Sequence, residues 1–306
     1  MTSEPRVALG YDGSDAAKHA IAVAGRLLGP RDVIVAHVFA GPSHLMLRPR
    51  HEELPEPLEA AADEVDAPWR QEAERLAAEG VELAAKAGFQ PRAAVIQRKG
   101  KTWQTLAEAA AANGAAMIVA GAHGCFGGPP EALGGVAFGL ANNSEGTVLI
   151  VPADAPVAPS GPALLCYDGS EHAKRAIAAA AKWLAGNEAL LLHLRDTGLL
   201  APHVDGPITG ASAEELTHQV TVVERGRPDH VRQDGSRLAA RLGLDVDAFT
   251  GFCEGALWQG ILETAEDNDA AVVVMGSRGL GGVAAMLGSV SHGVLHHSKR
   301  AVLVCR

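Results

Sequence analysis

Hydrophobic positions in this chain form short runs that alternate with longer segments in which apolar residues recur at helical spacing. The runs at 7–9 and 163–166 are each followed by an Asp-Gly-Ser turn and then by a helical pattern. Further runs bounded by turn residues lie at 33–38, 93–97, 116–120, 147–151, 189–194, 245–250, 271–275 and 301–305. Because short apolar strands that alternate with helices are typical of parallel sheets covered on both faces, the pattern predicts an α/β fold with right-handed crossovers.

The pattern occurs twice, in the same order. The repeated pieces are Tyr11-Asp12-Gly13-Ser14 and Tyr167-Asp168-Gly169-Ser170, Trp103 and Trp258, and Gly121-x-x-Gly124 and Gly276-x-x-Gly279. Residues 152–162, which carry four prolines in eleven positions, separate the two copies. We therefore predict two open, doubly wound, five-stranded parallel sheets, with a first domain at 1–152, a linker at 153–162 and a second domain at 163–306.

The helices of the two copies are predicted with unequal detail. Ser14 and Ser170 suit N-caps, since a serine hydroxyl can accept an orphan backbone N–H. Alternating charge and alanine predicts a helix at 71–87, with a counterpart at 236–242. The regions 42–70 and 195–230 are interpreted as variable, and the role of 195–235 is left unassigned.

Two tryptophans stand near the start of corresponding helices. Trp103 and Trp258 are interpreted as anchors of these helices against the sheet. Stacking on a nucleotide base is the alternative.

Composition narrows the classes of partner. The 306 residues carry a net charge of −10 without a basic run, which argues against a nucleic-acid footprint. The chain shows no signal peptide and no apolar stretch of membrane-spanning length, so we expect a cytoplasmic protein without a membrane partner. Its four scattered cysteines, without a CxxC pair, are expected to be free thiols packed as small hydrophobes.

Candidate chemistry gathers at the carboxyl ends of the strands. In open α/β sheets ligands bind there, where the strand order reverses, and two loops of each copy are expected to meet at that point. One is the Asp-Gly-Ser turn and the other is the glycine-rich loop after the fourth strand. Glycines let the backbone approach a phosphate, and the following helix N-terminus offers N–H groups and a favourable dipole. Glycines that merely form tight turns are the alternative.

The Gly-x-x-Gly loop, the Asp after strand one and the closing strand, in this order and twice, resemble the universal stress protein family. The resemblance covers both copies nearly end to end and implies a Rossmann-like fold of the adenine nucleotide hydrolase type. It implies that ATP, with or without Mg²⁺, places its triphosphate on the loop, its ribose at the Asp and its adenine against backbone just after strand two. It also implies an internal pseudo-dimer, in which the last strands of the two domains pair.

Carried over position by position, the resemblance assigns nucleotide-binding residues in both copies. Those of the second copy are Asp168, Leu194, Gly276, Arg278, Gly279, Gly288, Ser289 and Val290. Those of the first are Asp12, Val38, Gly121, His123, Gly124 and Gly134.

Both copies depart from the family pattern in this loop. In the first copy Gly135 replaces the hydroxyl residue, and Pro129 and Pro130 remove two donors. In the second copy eight residues, rather than nine, separate Gly279 from Gly288. The second copy is therefore the favoured nucleotide site. For Arg278, pairing with a phosphate and a solvated loop position are both open.

Other residues give weaker indications of chemistry. His292, His296 and His297 cluster on one helix, and an i, i+4 pair can bind a metal, but no third ligand is evident. A surface or packing role is therefore favoured, and no metal site is predicted. No Ser-His-Asp or Cys-His arrangement can be argued from spacing, so no catalytic residue is assigned.

The resulting hypothesis is a tandem universal stress protein that binds adenine nucleotide with little or no turnover. One rival is a slow ATPase that uses the same loop. The other is a nucleotide-free scaffold that acts through protein partners, whose identity the sequence does not give. An internal pseudo-dimer is expected, and a further homodimer is left open.

Overall fold

The computed structural model describes residues 6–43, 56–124, 133–196, 229–279 and 287–306. The chain separates into two compact units, Met1–Pro159 with Ser298–Val304 and Arg306, and Ser160–His297 with Cys305. We refer below to the first and second copies of the sequence repeat and describe each by itself. The domain limits of 1–152 and 163–306 stay a prediction.

The first copy contains a parallel sheet in the strand order β3-β2-β1-β4-β5. Its strands are β1 (Arg6–Gly10), β2 (Asp32–Phe39), β3 (Gln90–Gln97), β4 (Ala115–Gly121) and β5 (Thr147–Val151). Val7 lies between Val33 of β2 and Met117 of β4, so the strand order reverses at β1. The predicted five-stranded, doubly wound sheet is confirmed, and its reversal point lies where the Asp12 turn leaves β1.

Four helices of the first copy connect these strands. They are α1 (Asp15–Leu28), α2 (Glu56–Lys86), α3 (Thr102–Ala112) and α4 (Gly135–Asn143). Ser14 caps α1 as predicted, because its Oγ accepts the N–H of Ala17 at 3.2 Å. Helix α1 packs beside α2, whereas α3 packs beside α4, so each face of the sheet carries a helix pair.

Helix α2 corrects the sequence interpretation. We predicted a helix at 71–87 and a variable region at 42–70, but the helix begins at Glu56 and passes through Pro68. Proline in a helix interior removes a hydrogen bond and normally breaks the helix. Here the buried Asp66 carboxylate accepts hydrogen bonds from Ser43 and Gln97, which holds this part of α2 against the ends of β2 and β3.

The second copy repeats the arrangement. Its strands are β6 (Ala163–Cys166), β7 (Ala189–Asp196), β8 (Val246–Cys253), β9 (Val272–Gly276) and β10 (Ala301–Cys305), and β9-β6-β7-β8 is a parallel order. Ala163 lies between Ala189 and Val272, the counterparts of Val33 and Met117. The copies therefore share register as well as strand order.

The helices of the second copy are α5 (Glu171–Trp183), α6 (His230–Arg241), α7 (Leu257–Asp267) and α8 (Ser289–His297). Ser170 caps α5 as predicted. The helix predicted at 236–242 begins six residues earlier, because Asp229 accepts the N–H of Arg232 at 2.9 Å as an N-cap. Of the variable segment at 195–235, residues 197–228 lie outside the described residues.

The central strands of both sheets are almost fully excluded from solvent. Leu9, Ile34, Leu149, Leu164 and Leu191 are at most 1% exposed. Each such side chain contributes about 1.5–3 kcal/mol by burial, so the two cores fix the strands whose ends carry the candidate site. Among the described cysteines, Cys166, Cys253 and Cys305 are free thiols, as predicted. Within the described part of the chain, no helix is long and apolar enough to cross a membrane.

Candidate nucleotide site

In each copy the Asp turn and the glycine-rich loop meet, as predicted. A Cβ atom added to Gly124 would lie 2.9 Å from Asp12 Oδ2, and one added to Gly279 would lie 2.6 Å from Asp168 Oδ2. The second glycine of each Gly-x-x-Gly thus brings its backbone directly against the carboxylate. Any larger side chain would push the loop away from it.

Each carboxylate is held by its own turn. Asp12 Oδ1 accepts the N–H and the hydroxyl of Ser14 at 3.0 and 2.5 Å. Asp168 Oδ1 accepts the N–H of Ser170 at 2.9 Å, whereas the Ser170 hydroxyl donates to the carbonyl of Arg278 at 3.4 Å. One oxygen is therefore oriented by the turn while the other faces the loop. In the second copy the capping serine additionally connects the two loops.

The first glycine of each loop has a structural reason. A Cβ atom on Gly121 would lie 2.9 Å from the carbonyl oxygen of Ala16, and one on Gly276 would lie 2.7 Å from the backbone of His172. The end of β4 therefore touches the first turn of α1, and the end of β9 touches the first turn of α5. Close packing against a helix accounts for these two glycines, whereas the close approach to Asp12 or Asp168 accounts for Gly124 and Gly279.

The far end of each loop returns to its beginning. The N–H of Gly134 donates to the carbonyl of Ala122 at 2.7 Å, and that of Gly288 donates to Ser277 at 2.8 Å. Both loops close in the same way although they differ by one residue. Helices α4 and α8 begin directly after these glycines, so their N-terminal N–H groups open at the loop. The middles of the loops, including Pro129 and Pro130, lie outside the described residues.

The two helix starts differ in their hydroxyl groups. Gly135 opens α4, and nothing lies within 4 Å of a Cβ atom placed on it. Ser289 opens α8 at the same position and is exposed, and Val290 beside it is half-buried. Two residues later, Ser291 Oγ donates to the carbonyl of Gly276 at 2.8 Å, where the first copy has Ala137. The second copy therefore has an exposed hydroxyl at the helix N-terminus and an extra bond that ties α8 to the loop.

The variable residue of Gly-x-x-Gly also differs. Arg278 of the second copy is half-buried, with its carbonyl held by Ser170. His123 of the first copy is half-buried as well, and its Nε2 atom is shielded from solvent without a hydrogen-bond partner among the described residues. A guanidinium offers five donors in a planar fork, whereas a neutral imidazole offers one.

A histidine pair to which the sequence analysis assigned no role of its own shapes the edge near strand two. Nδ1 of His37 donates to the carbonyl of Tyr11 at 2.8 Å, and Nδ1 of His193 donates to that of Tyr167 at 2.9 Å. These bonds hold the end of β2 or β7 beside the Asp turn. The signal was available, since both histidines recur at the offset of the Tyr-Asp-Gly-Ser motif.

The residues assigned to the adenine follow these histidines directly. Val38 and Leu194 are half-buried. The Leu194 side chain lies between β8 and α7, where Cβ atoms on Gly251 and Gly260 would each lie 2.8 Å from it.

Asp229, also missed from the sequence, completes the edge of the second copy. Its carboxylate accepts the Arg232 N–H and the Thr250 hydroxyl, and it lies 3.9 Å from His193 Nε2. Partial burial works to raise the pKa of Asp229, but these hydrogen bonds and the charge of His193 outweigh it and lower that pKa. Asp229 is therefore a charged carboxylate near neutral pH, held beside the ring of His193.

Nucleophilic chemistry is weakly supported at this edge. Burial, assisted by the charge of Asp168, raises the pKa of the Cys166 thiol to about 12, so this thiol is inert. Ser277 Oγ lies 3.5 Å from His172 Nδ1, a pairing that spacing did not predict, but Ser277 is only 3% exposed. Within the described ranges, no group of three or more His, Cys, Asp or Glu side chains is arranged to hold a metal ion.

The tryptophans anchor helices against helices. A Cβ atom on Gly139 would lie 2.2 Å from Trp103, and one on Gly293 would lie 2.4 Å from Trp258. The two residues thus pack α3 on α4 and α7 on α8, and the predicted anchoring against the sheet stays a prediction. The glycines leave room for the indole at the helix crossing.

The histidines of α8 pack beside one of these tryptophans. The ring of His297 stacks on Trp258 with centroids 4.5 Å apart. The pKa of His292 is lowered by partial burial and by the neighbouring His296 and His297. A packing role, as favoured from the sequence, is visible for His297.

Comparison with known proteins finds one family over both copies. The model of the universal stress protein family matches residues 5–152 and again 161–306. A universal stress protein of Thermus aquaticus, described by its position 3′ of a QAH/OAS sulfhydrylase, is 31% identical over 144 residues, which cover 47% of this chain and 96% of that protein.

Similarity to a solved structure extends over nearly the whole chain. A universal stress protein from Archaeoglobus fulgidus DSM 4304 matches with a TM-score of 0.64 at 19% identity, covering 99% of this chain and 97% of that one. A shorter universal stress protein from Archaeoglobus fulgidus, solved in complex with dAMP, covers 48% of this chain and 99% of its own, at 16% identity and a TM-score of 0.33.

Proposed function

The chain belongs to the universal stress protein family, and from that premise we propose that its second copy binds an adenine nucleotide, ATP above all, with little or no turnover. The carrying observation is the contact between the Gly279 backbone and the Asp168 carboxylate, with the loop closed by Gly288 onto Ser277. The family resemblance assigns Asp168 to the ribose and the loop to the phosphates, and this contact brings the two together.

Each proposed contact follows from the group available. Asp168 accepts hydrogen bonds from the ribose hydroxyls through Oδ2, the oxygen that faces the loop. The backbone at Leu194 receives the adenine, beside the fixed ring of His193. The phosphates lie on the N–H groups of Gly276, Gly279 and Gly288–Val290, where the dipole of α8 favours negative charge. Arg278 supplies the cation, and Ser289 supplies the hydroxyl.

The first copy is proposed to be the weaker site. It keeps Asp12, Val38 and the glycines Gly121, Gly124 and Gly134. It lacks the hydroxyl at Gly135, and His123 replaces the arginine. A hydrogen bond from a hydroxyl to a charged phosphate contributes about 1.5–3 kcal/mol, so this loss alone corresponds to at least about a tenfold difference in affinity.

Little or no turnover is proposed because the described groups near the loop are binding groups. Ser277 is buried and the Cys166 thiol is inert, so neither serves as a covalent nucleophile, and no side chain is assigned as a general base for an attacking water. Mg²⁺ is proposed only as a companion of the bound triphosphate. The cytoplasmic location, the internal pseudo-dimer and any further homodimer also remain proposals.

The test is a calorimetric titration of the purified, tag-free chain with ATP and Mg²⁺. We expect Ser289→Gly, which copies Gly135, to weaken binding at least about tenfold. The matched control Gly135→Ser adds the hydroxyl to the first copy, where its Cβ has room, and should leave the affinity of the second-copy site unchanged.

Three other results would contradict the proposal in different ways. Equal weakening by both variants would contradict the choice of the second copy. Absence of ATP binding by the parent chain, with no nucleotide released from it on denaturation, would favour the scaffold. Sustained phosphate release above a buffer blank would favour the slow ATPase.

A further inference from the structure

A buried serine ties the start of α8 to the end of β9 across the second-copy loop. The hydroxyl of Ser291 donates to the carbonyl of Gly276 at 2.8 Å, and Ser291 is only 3% exposed, so the bond is shielded from water. The first copy has Ala137 at this position, buried to the same degree. The first copy therefore fits the same space without the hydroxyl and cannot make this bond.

The next two carbonyl groups of the second-copy loop are bound as well. Ser277 accepts the N–H of Gly288 at 2.8 Å, and Arg278 accepts the hydroxyl of Ser170 at 3.4 Å. In the first copy the capping serine of α1 donates instead to the carboxylate of Asp12, at 2.5 Å. Three successive carbonyls of the second-copy loop are thus held, two of them by serine hydroxyls from two different helices.

A held carbonyl also orients the N–H group of the next residue, because the planar trans peptide directs the two in opposite directions. The first of these carbonyls faces α8, and the N–H of Ser277 accordingly points the other way and donates to Cys305 at 2.7 Å. By the same geometry, the N–H of Gly279 points away from the Ser170 hydroxyl. Its nitrogen lies beside the start of α8, since a Cβ atom on Gly288 would be 3.7 Å from it.

The oriented backbone suits an anion. Gly279 is exposed, and α8 begins beside it with the exposed Ser289, so the N–H groups of loop and helix start lie next to each other. Successive N–H groups in such a concavity bind phosphate oxygens, and the helix dipole adds to the attraction. Their strength depends on how firmly the backbone holds each N–H in position.

We propose that Ser291 is a positioning residue of the second-copy nucleotide site. By holding the Gly276 carbonyl on α8, it keeps the N–H of Gly279 and the first N–H groups of α8 directed at the same phosphate. Ser291 itself does not touch the nucleotide. The inference rests on the proposed function and adds to it a preference: the second copy favours nucleoside phosphates over the nucleoside through a bond that the first copy lacks.

The experiment is a calorimetric titration of the tag-free, nucleotide-free chain and of Ser291→Ala with ATP and Mg²⁺, and a competition measurement of adenosine, which has no phosphate. Ser291→Ala should weaken ATP binding about three- to tenfold, the range of one neutral hydrogen bond, and leave the affinity for adenosine unchanged. The variant is expected to fold, because alanine occupies this buried position in the first copy, and circular dichroism checks this.

Ser298→Ala is the matched control. Ser298 follows the other end of α8, is also buried, and its hydroxyl donates to the carbonyl of Arg300 at 2.8 Å, so the variant loses a similar bond far from the loop. It should bind ATP and adenosine as the parent chain does.

The possible failures are distinguishable. Absence of ATP binding by the parent chain would overturn the proposed function and this inference with it. ATP binding by the parent chain that Ser291→Ala leaves unchanged would overturn this inference alone. Equal weakening of ATP and adenosine by Ser291→Ala, or equal weakening of ATP by Ser298→Ala, would mean a general loss of structure and would also overturn it.

Discussion

At the scale of single residues, the two glycines of each Gly-x-x-Gly loop have different tasks. Gly121 and Gly276 allow the strand end to touch α1 or α5, so a side chain there would disturb packing. Gly124 and Gly279 allow the loop to reach the carboxylates of Asp12 and Asp168. Spacing showed that glycines recur, but it could not assign these tasks, because they depend on atoms from a turn more than a hundred residues away.

Substitution of the second glycine tests the site without touching the strand. Gly279→Ala places a Cβ atom 2.6 Å from Asp168 Oδ2 and should weaken ATP binding about tenfold or more, because the loop must move off the carboxylate. Gly124→Ala makes the matching clash, at 2.9 Å from Asp12, and should leave binding unchanged. Isothermal titration calorimetry measures both, and loss of affinity in the Gly124 variant alone would contradict the assignment.

At the scale of elements, strands were predicted closely, whereas two helices begin earlier than predicted, α6 by six residues and α2 by fifteen. The apolar runs at 116–120 and 147–151 fall within β4 and β5 because a strand buried on both faces leaves an uninterrupted hydrophobic signature. Helix α2 escaped prediction over its first fifteen residues. Pro68 and the surrounding acidic residues resemble a loop, and the contact that stabilises a helix there comes from Ser43 and Gln97, which no local pattern reveals.

The buried carboxylate of Asp66 should therefore determine the stability of that element. Asp66→Ala leaves the buried Ser43 N–H and the Gln97 amide without their acceptor, which costs about 2–6 kcal/mol at 1–3 kcal/mol per unsatisfied group. Thermal unfolding followed by circular dichroism should show a transition lowered by several degrees. Asp63→Ala removes only an exposed pairing with Arg70 at 3.4 Å and should cost less than about 1 kcal/mol. Equal effects of the two variants would contradict an anchoring role for Asp66.

At the scale of the whole molecule, duplication gives each site its own reference. The repeat predicted fold class and family because both copies keep the strand order, the register and the Asp turn. It could not predict the inequality of the copies beyond the loop residues themselves. Two groups of contacts in the second copy join residues that are distant in sequence: the His193–Asp229–Thr250 cluster and the bond from Ser291 to Gly276. At the positions that correspond to Thr250 and Ser291, the first copy has Val95 and Ala137.

The proposed inequality of the two copies predicts a stoichiometry of one nucleotide per chain. Asp12→Ala and Asp168→Ala each remove the N–H hydrogen bond of the turn, from Ser14 or Ser170, and Asp12→Ala also removes the bond from the Ser14 hydroxyl, so the first-copy control carries the additional cost to folding. Native mass spectrometry at an ATP concentration near the dissociation constant should show one nucleotide on the parent chain and on Asp12→Ala, and none on Asp168→Ala. Two nucleotides on the parent chain would mean that a hydroxyl and an arginine at the loop are dispensable. In that case the retained Asp turn and the loop backbone, which both copies share, would be sufficient for binding.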